Sequence, residues 1–181
     1  MWIMAHAGFA SAVFAAGVRL SKESWDEKRK ATAFRWFLLG SLLPDLVDKP
    51  LGKVIFGGYF QNGRIFFHTL LVLSLFLAVG VILWRKGDIR VISLAAGMAV
   101  HLLLDGLWTF PETAFWPLLG PFPRFPEKGS LWKYLVEQLK DPLVLFTELS
   151  GLVALVLSLR AMGYSSTRKA IGLFLPVSRR K

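Results

Sequence analysis

Five apolar runs follow one another along this 181-residue chain, and they dominate what it can fold into. The runs cover residues 2–18, 31–43, 66–84, 91–110 and 143–159. A bilayer core of about 30 Å needs about 20 apolar residues in a helix. The third and fourth runs satisfy this length, the first and fifth come close, and the second is short. The runs therefore predict an all-α chain, a polytopic integral membrane bundle of about five transmembrane helices in contact with a lipid bilayer.

The composition excludes several other classes of protein. Hydrophobic residues make up 54% of the chain, which is too many for a disordered protein. The chain has no cysteine, so a disulfide scaffold, a thiolate metal site and thiol catalysis are all excluded. The length suits one domain, residues 1–181. No Lys or Arg precedes the first run, which we therefore interpret as a retained helix and not as a signal peptide.

The charges predict how such a bundle would sit in the membrane. The net charge is +10, from 22 Lys and Arg against 12 Asp and Glu. Most of these cations lie in residues 19–30, residues 85–90 and the basic tail, residues 164–181, which fall on one side of a five-helix bundle. The positive-inside rule then predicts a multi-pass protein of the cell's inner membrane, with the N-terminus outside and the C-terminus and its tail in the cytoplasm. No basic stripe with interleaved aromatics is present, so no nucleic-acid partner is expected.

Two longer loops would lie on the outer side. In the first, Val54-Ile55-Phe56, Gly57-Gly58 and Tyr59-Phe60 predict a short hairpin. The second, residues 111–142, is rich in proline, and within it Ser130 could cap a helix with one apolar face. We expect this segment to be an outer loop with a helix lying on the membrane interface.

The few ionisable residues in or beside the apolar runs all fall towards the outer side of this predicted topology. They are His6, Asp45, His68, His101, Asp105 and Glu148. At 1.5 Å of rise per residue, most would lie roughly 3–12 Å inside the outer boundary. A charged residue at membrane depth costs at least about 2.5–3.5 kcal/mol, so such groups usually face one another or a wet cavity. Each residue alone could be explained by packing, but their common depth predicts one shared polar site.

These residue types suit a metal ion. His101 and Asp105 are four residues apart, so they share a helix face and can hold one cation together. Imidazole with carboxylate suits Zn²⁺ and also Mn²⁺ or Fe²⁺. Four ligands are expected for the first ion: Asp45, His68, His101 and Asp105. His6 could join a second ion bridged by Asp105, and Glu148 either binds that ion or positions a water molecule.

At these residues the sequence resembles a known family, the LexA-regulated-type membrane-bound metal-dependent hydrolases. The matching motifs are, in order, His6, Gly40-Ser41-Leu42-Leu43-Pro44-Asp45, Arg64 with His68-Thr69-Leu70-Leu71, and His101-Leu102-Leu103-Leu104-Asp105 with Thr109 and Trp116-Pro117. The family usually shows Pro-Asp-x-Asp, whereas two residues separate the aspartates here. Asp45, which follows Pro44 directly, is the preferred ligand, and Asp48 is the alternative.

The pattern is also similar, more distantly, to zinc-dependent phospholipase C, and that resemblance implies phosphoester hydrolysis. The main hypothesis is therefore a membrane-embedded hydrolase that holds one or two divalent ions, with Zn²⁺ preferred. Its substrate would be a phosphoester, or another ester, of an amphiphilic or lipid-like molecule reached from the extracytoplasmic side. Asp45 or Glu148 would orient the water, and Arg64 would pair with a phosphate or anchor the chain at the interface.

Three other hypotheses stay open at this point. Intramembrane His, Asp and Glu also build ion or small-solute transporters, although those usually distribute such residues through the membrane depth. His68 and His101 could be the axial ligands of a haem. The chain could also be a structural membrane protein without chemistry.

Overall fold

The computed structural model describes residues 3–21, 24–125, 136 and 140–164, and within these it is helical with no strand. The first half contains α1 (Ile3–Leu20), α2 (Glu27–Lys49), a π-helical segment (Pro50–Ile55), α3 (Gly57–Phe60) and a 3-10 turn (Phe66–His68). The second half contains α4 (Leu70–Arg85), α5 (Arg90–Leu104), a 3-10 turn (Leu107–Thr109), α6 (Pro111–Ala114) and α7 (Pro142–Ala161). The prediction of an all-α chain is confirmed for the described residues.

Three of the long helices begin at side chains that cap free backbone N–H groups. The carboxylate of Asp26 accepts from the backbone N–H of Arg29 at the start of α2. Thr69 begins α4 in the same way, and Asp141 begins α7, where Pro142 occupies the first helical position. Such caps satisfy backbone donors that the helix itself leaves free. The caps explain why α2 starts four residues before its apolar run and α7 starts one residue before its own.

The long helices pack as neighbours in an order that brings the predicted polar residues together. α2 packs against α5, α5 against α4, and α1 against both α2 and α7. One apolar cluster joins α1 to α2 through Phe14, Phe34 and Phe37. A second joins α4 to α5 through Leu73 and Met98. These clusters fix the relative positions of the helices that carry the motifs.

Glycines allow α2 and α5 to touch through their backbones. A Cβ atom on Gly40 would lie 2.0 Å from the carbonyl oxygen of Leu94, and one on Gly97 would lie 2.0 Å from that of Phe37. Neither distance is compatible with a real side chain. The same holds between α1 and α7, where a Cβ on Gly8 would lie 1.8 Å from the Gly151 oxygen. The glycines therefore set how closely the motif-bearing helices approach.

Gly40→Ala is expected to destabilise the protein, because α2 and α5 would have to move apart. Overpacking of this kind costs about 1–3 kcal/mol and sometimes more. The readout is the thermal unfolding temperature in detergent. Gly17→Ala is the matched control, because a Cβ on this α1 glycine meets no atom within 4 Å and alanine favours helix by about 1 kcal/mol. Equal unfolding temperatures for Gly40→Ala and the unsubstituted protein would contradict this packing.

Two helices, α1 and α7, are long and apolar enough to cross a membrane by length and composition. α7 carries a broad set of exposed apolar side chains: Leu143, Leu145, Phe146, Leu149, Leu152, Val153, Val156 and Leu157. A surface of this kind is typical of contact with lipid or another protein. α4 and α5 are apolar but shorter, with 16 and 15 residues. The number of spans and the orientation of the termini remain predictions.

Some local predictions differ from the structure. The hairpin predicted at residues 54–60 is wrong, because that segment forms the end of the π-helical segment and α3. The third apolar run begins with the turn Phe66–His68, and in the fourth run α5 ends at Leu104. The helix predicted to follow Ser130 falls mostly on residues 126–135 and 137–139, outside the described residues. Residues 165–181 of the basic tail also lie outside them.

Candidate metal centre

Four side chains converge where the end of α5 meets α2 and the turn before α4. They are Asp45 in α2, His68 in the turn, His101 in the last turn of α5, and Asp105 directly after α5. One ligand atom from each lies within 4.8 Å of the ligand atoms of the other three. The side chains of the two histidines are at most 1% exposed, and those of Asp45 and Asp105 are 12% and 6% exposed. The four ligands expected from the sequence for the first ion are thus brought together.

The buried partners of the two imidazoles determine which ring nitrogen faces the cluster. His101 Nδ1 lies 2.7 Å from the backbone carbonyl of Ser41, and His68 Nδ1 lies 2.7 Å from Asp48 Oδ2. Both partners accept hydrogen bonds, so each Nδ1 donates. In a neutral imidazole the other nitrogen then carries the lone pair. When both rings are neutral, both Nε2 atoms are therefore acceptors.

The two Nε2 atoms face each other at 3.2 Å. Asp45 Oδ1 lies 3.8 Å from His68 Nε2 and 3.9 Å from His101 Nε2. This oxygen has no hydrogen-bond partner among the described residues. Facing lone pairs repel unless a cation or a shared proton lies between them. Donors bound to a tetrahedral zinc at about 2.0–2.1 Å lie about 3.3 Å apart. The donor types and spacings thus fit a divalent cation after small shifts.

Asp45 is turned towards the histidines by a lysine of the next helical turn. Lys49 Nζ lies 2.5 Å from Asp45 Oδ2, and the lysine side chain is 46% exposed. The ion pair engages Asp45 Oδ2 on the solvent-exposed side of the carboxylate. It leaves Oδ1 facing the cluster, where the carboxylate can serve as a ligand.

Asp48, the alternative ligand, lies behind His68 and outside the group of four. Its carboxylate is fully buried, and Oδ2 accepts from His68 Nδ1 and from the backbone N–H groups of Ile65 and His68. Oδ1 accepts from the backbone N–H of Phe67 at 3.1 Å. A carboxylate behind a metal-binding histidine fixes the ring and raises its basicity. Asp48 is therefore placed to orient His68, and Asp45 is the aspartate at the cluster.

Asp48→Asn is expected to weaken metal binding by about 10–100-fold, the usual effect of removing such a supporting group. The amide keeps the size of the side chain but loses the charge that holds the His68 ring. Competition with a chromogenic chelator measures the affinity. Asp88→Asn, which changes a carboxylate between α4 and α5 at the other end of these helices, is the control. Equal affinities for the two variants would contradict the role assigned to Asp48.

His6 of α1 lies directly beside the cluster. Its ring stacks on that of His101 with 4.1 Å between centroids, and its Nε2 is 3.2 Å from Asp105 Oδ1 without the alignment of a hydrogen bond. Neither ring nitrogen has a hydrogen-bond partner among the described residues, although the side chain is only 1% exposed. His6 and the second oxygen of Asp105 therefore lie next to each other, and the second metal site stays a prediction.

Glu148 of α7 has a different environment. Its carboxylate accepts from the backbone N–H groups of Met4 at 2.9 Å and Ala5 at 3.3 Å. It therefore binds the first turn of α1, immediately before His6, and is not one of the four grouped residues. This contact gives Glu148 a role in positioning α1. Its predicted role as a ligand or water-positioning group stays a prediction.

Arg64 connects the cluster to the surface. Its Nε lies 2.8 Å from Asp105 Oδ2, its guanidinium lies 4.8 Å from the centre of the Phe110 ring, and its side chain is 36% exposed. Asn62 holds the backbone of this segment, because its Oδ1 accepts from Arg64 N and its Nδ2 donates to the carbonyl of Pro123. Our sequence reasoning missed Asn62, for which the Asn-Gly turn dipeptide was the available signal.

The comparisons with known proteins identify a family for this chain but no individual relative. Residues 1–178 match the sequence model of a family described as YdjM inner membrane protein. No curated protein and no solved structure matches the chain, so the distant similarity to zinc-dependent phospholipase C is not supported by them. Since the match extends over nearly the whole sequence, this chain belongs to the YdjM inner membrane protein family.

Proposed function

We propose that this chain is a membrane-embedded metal-dependent hydrolase whose centre is formed by Asp45, His68, His101 and Asp105. The observation that carries the proposal is the pair of Nε2 atoms 3.2 Å apart, each on a ring whose Nδ1 faces an acceptor, so that both are acceptors when the rings are neutral. Buried polar atoms normally find hydrogen-bond partners, and the unpartnered Asp45 Oδ1 at this point therefore favours a ligand-binding role. Two imidazoles and two carboxylates favour Zn²⁺, with Mn²⁺ or Fe²⁺ as alternatives.

Hydrolysis needs an activated water, and a divalent ion bound at such a site supplies one by lowering the pKa of a water molecule towards about 7. Asp48 and the Ser41 carbonyl fix the orientation of the His68 and His101 rings, so that both Nε2 atoms face the site where the ion would bind. His6 has no aligned hydrogen bond at either ring nitrogen among the described residues, and its Nε2 lies 3.2 Å from Asp105 Oδ1, so it is the neighbouring group placed to exchange a proton or to join a second ion. Its position against Asp105 supports either role.

Arg64 is the group proposed to bind the substrate. Its Nε holds Asp105, while the exposed part of the guanidinium reaches the surface. Arginine presents several donors in a fork that matches phosphate oxygens. A phosphoester is therefore the ester that this arrangement suits best.

An amphiphilic substrate is supported by an aromatic cavity next to the turn that carries His68. A cavity of about 220 Å³ is lined by Tyr59, Phe66, Trp116, Phe122 and Arg124, among others. Phe66 stands two residues before His68, so this aromatic cavity adjoins the segment that carries a ligand. An apolar chain could rest against these rings while its phosphate contacts Arg64.

Purified protein loaded with Zn²⁺ tests the proposal against a panel of amphiphilic phosphomonoesters, phosphodiesters and carboxyl esters in micelles. We expect hydrolysis of at least one phosphoester, its loss on treatment with a chelator, and its recovery when Zn²⁺ is returned. Absence of turnover for the whole panel by the metal-loaded protein would overturn the proposal. Solute flux through liposomes without hydrolysis would favour the transporter hypothesis instead.

A further inference from the structure

An apolar groove lies at the end of the helices opposite the metal centre. It encloses about 400 Å³ where the end of α1 meets α2, α4 and α5. Its lining is mainly apolar and includes Val13, Phe37, Ile92 and Ala96, with Trp25 and Trp84. Along α5 the lining runs from Ile89 to Ala96, and Ala96 precedes His101 by five residues, or about 7.5 Å along the helix. None of the four residues of the metal centre lines the groove, so the two are different sites.

A polar pocket of about 490 Å³ adjoins this groove. The two cavities share Arg29 and Ile89 in their linings, so they lie next to each other. The pocket is lined by four cations and two carboxylates: Lys28, Arg29, Lys86, Arg90, Asp26 and Asp88. Each carboxylate accepts a hydrogen bond from a backbone N–H of its own turn. The pocket therefore carries an excess of positive charge directly beside the apolar groove.

We propose that this composite cavity binds one anionic phospholipid of the bilayer, with an acyl chain in the groove and the phosphate headgroup in the basic pocket. Basic pockets between membrane helices are suited to anionic headgroups. Tryptophan side chains prefer the depth at which headgroups meet acyl chains. With the basic pocket at the headgroups and the groove at the acyl chains, Trp25 and Trp84 lie at this depth. The lipid would stabilise the junction of α1, α2, α4 and α5. The proposal rests on the membrane family and this cavity, and is independent of hydrolysis.

The chain has seven tryptophans, so the readout is the part of the fluorescence that is lost in Trp25→Phe with Trp84→Phe, which comes from the two tryptophans in the groove. The protein is placed in nanodiscs that contain brominated phosphatidylglycerol or brominated phosphatidylcholine at equal mole fraction, and the quenching of tryptophan fluorescence is measured. We expect stronger quenching by phosphatidylglycerol, because only this lipid brings a net negative headgroup to the basic pocket. Equal quenching by the two lipids would overturn the proposal. This is also the result expected if a second copy of the chain, and not a lipid, fills the groove.

Two double variants test whether the pocket itself provides the selectivity. Lys86→Gln with Arg90→Gln removes two pocket cations and is expected to reduce the preference for phosphatidylglycerol by roughly tenfold or more. Arg19→Gln with Arg85→Gln removes two exposed cations from the same end of the helices, but outside the pocket lining, and should keep the preference. Similar losses in both double variants would show attraction to general surface charge and contradict a defined site. Thermal unfolding of each variant verifies that it is folded.

Discussion

His101→Ala and Asp105→Ala proteins, purified and equilibrated with Zn²⁺, are expected to retain almost no metal, whereas the unsubstituted protein should hold at least about one ion per chain. Each substitution removes one of four donors from a nearly buried cluster. The three remaining donors hold an ion much more weakly. In His101→Ala two of these donors, Asp45 and Asp105, also form ion pairs with Lys49 and Arg64. Mass spectrometry of the metal content after desalting measures the loss.

His6→Ala is the matched histidine control, because His6 stacks on His101 but is outside the group of four. We expect this variant to keep the first ion. If the unsubstituted protein holds two ions, His6→Ala should lose one of them. Unchanged metal content in both His101→Ala and Asp105→Ala would contradict the assignment of the centre.

Arg64→Gln is expected to lower kcat/KM for a phosphoester substrate by about 10²–10³-fold, the usual effect of removing one preorganised donor to a developing charge. Metal binding should be retained or strengthened, because the substitution removes a positive charge that competes with the ion for Asp105. Because kcat/KM falls while metal binding does not, the two measurements distinguish loss of substrate binding from collapse of the centre. Steady-state kinetics and metal content are measured on the same preparation.

Arg124→Gln is the control for this prediction. Arg124 also lies over an aromatic ring, that of Tyr59, and it lines the neighbouring aromatic cavity. It lines the cavity proposed to hold the apolar part of the substrate, but its guanidinium lies over Tyr59 and not beside Asp105, so a smaller loss of hydrolysis is expected, through weaker substrate binding alone. Equal losses in the two variants would mean that positive charge at this surface, and not the guanidinium beside Asp105, assists the reaction.

Much of the helical architecture and the four-residue group could be predicted from the sequence, because both depend on local regularities. Long apolar runs predict helices, and the spacing of His101 and Asp105 places them within one turn of each other. The choice of Asp45 over Asp48 as the preferred ligand agrees with the grouping in the structure, although the reason was only that Asp45 follows Pro44.

The supporting contacts could not be predicted, because they depend on tertiary packing. Asp48 orients His68 only because α2 continues past its apolar run and passes the turn before α4. The carbonyl of Ser41 faces His101 because Gly40 lets α5 approach the backbone of α2. Backbone acceptors leave no signal in side-chain type.

Two other differences have the same origin. Glu148 lies in an apolar run like the ligands, but close packing of Gly8 on Gly151 brings its carboxylate to the first turn of α1. Residues 54–56 have the β-branched and aromatic composition of a strand. They nevertheless end the π-helical segment that continues α2, and they lead directly into α3. Position in the fold overrides local preference at both sites.

Anomalous scattering at the zinc edge from crystals of the zinc-loaded protein tests the central claim most directly. The account predicts a strong peak between Asp45 Oδ1, Asp105 and the two Nε2 atoms, within bonding distance of the imidazoles of His68 and His101. A map with no peak between these atoms, in protein whose metal content shows bound zinc, would contradict it.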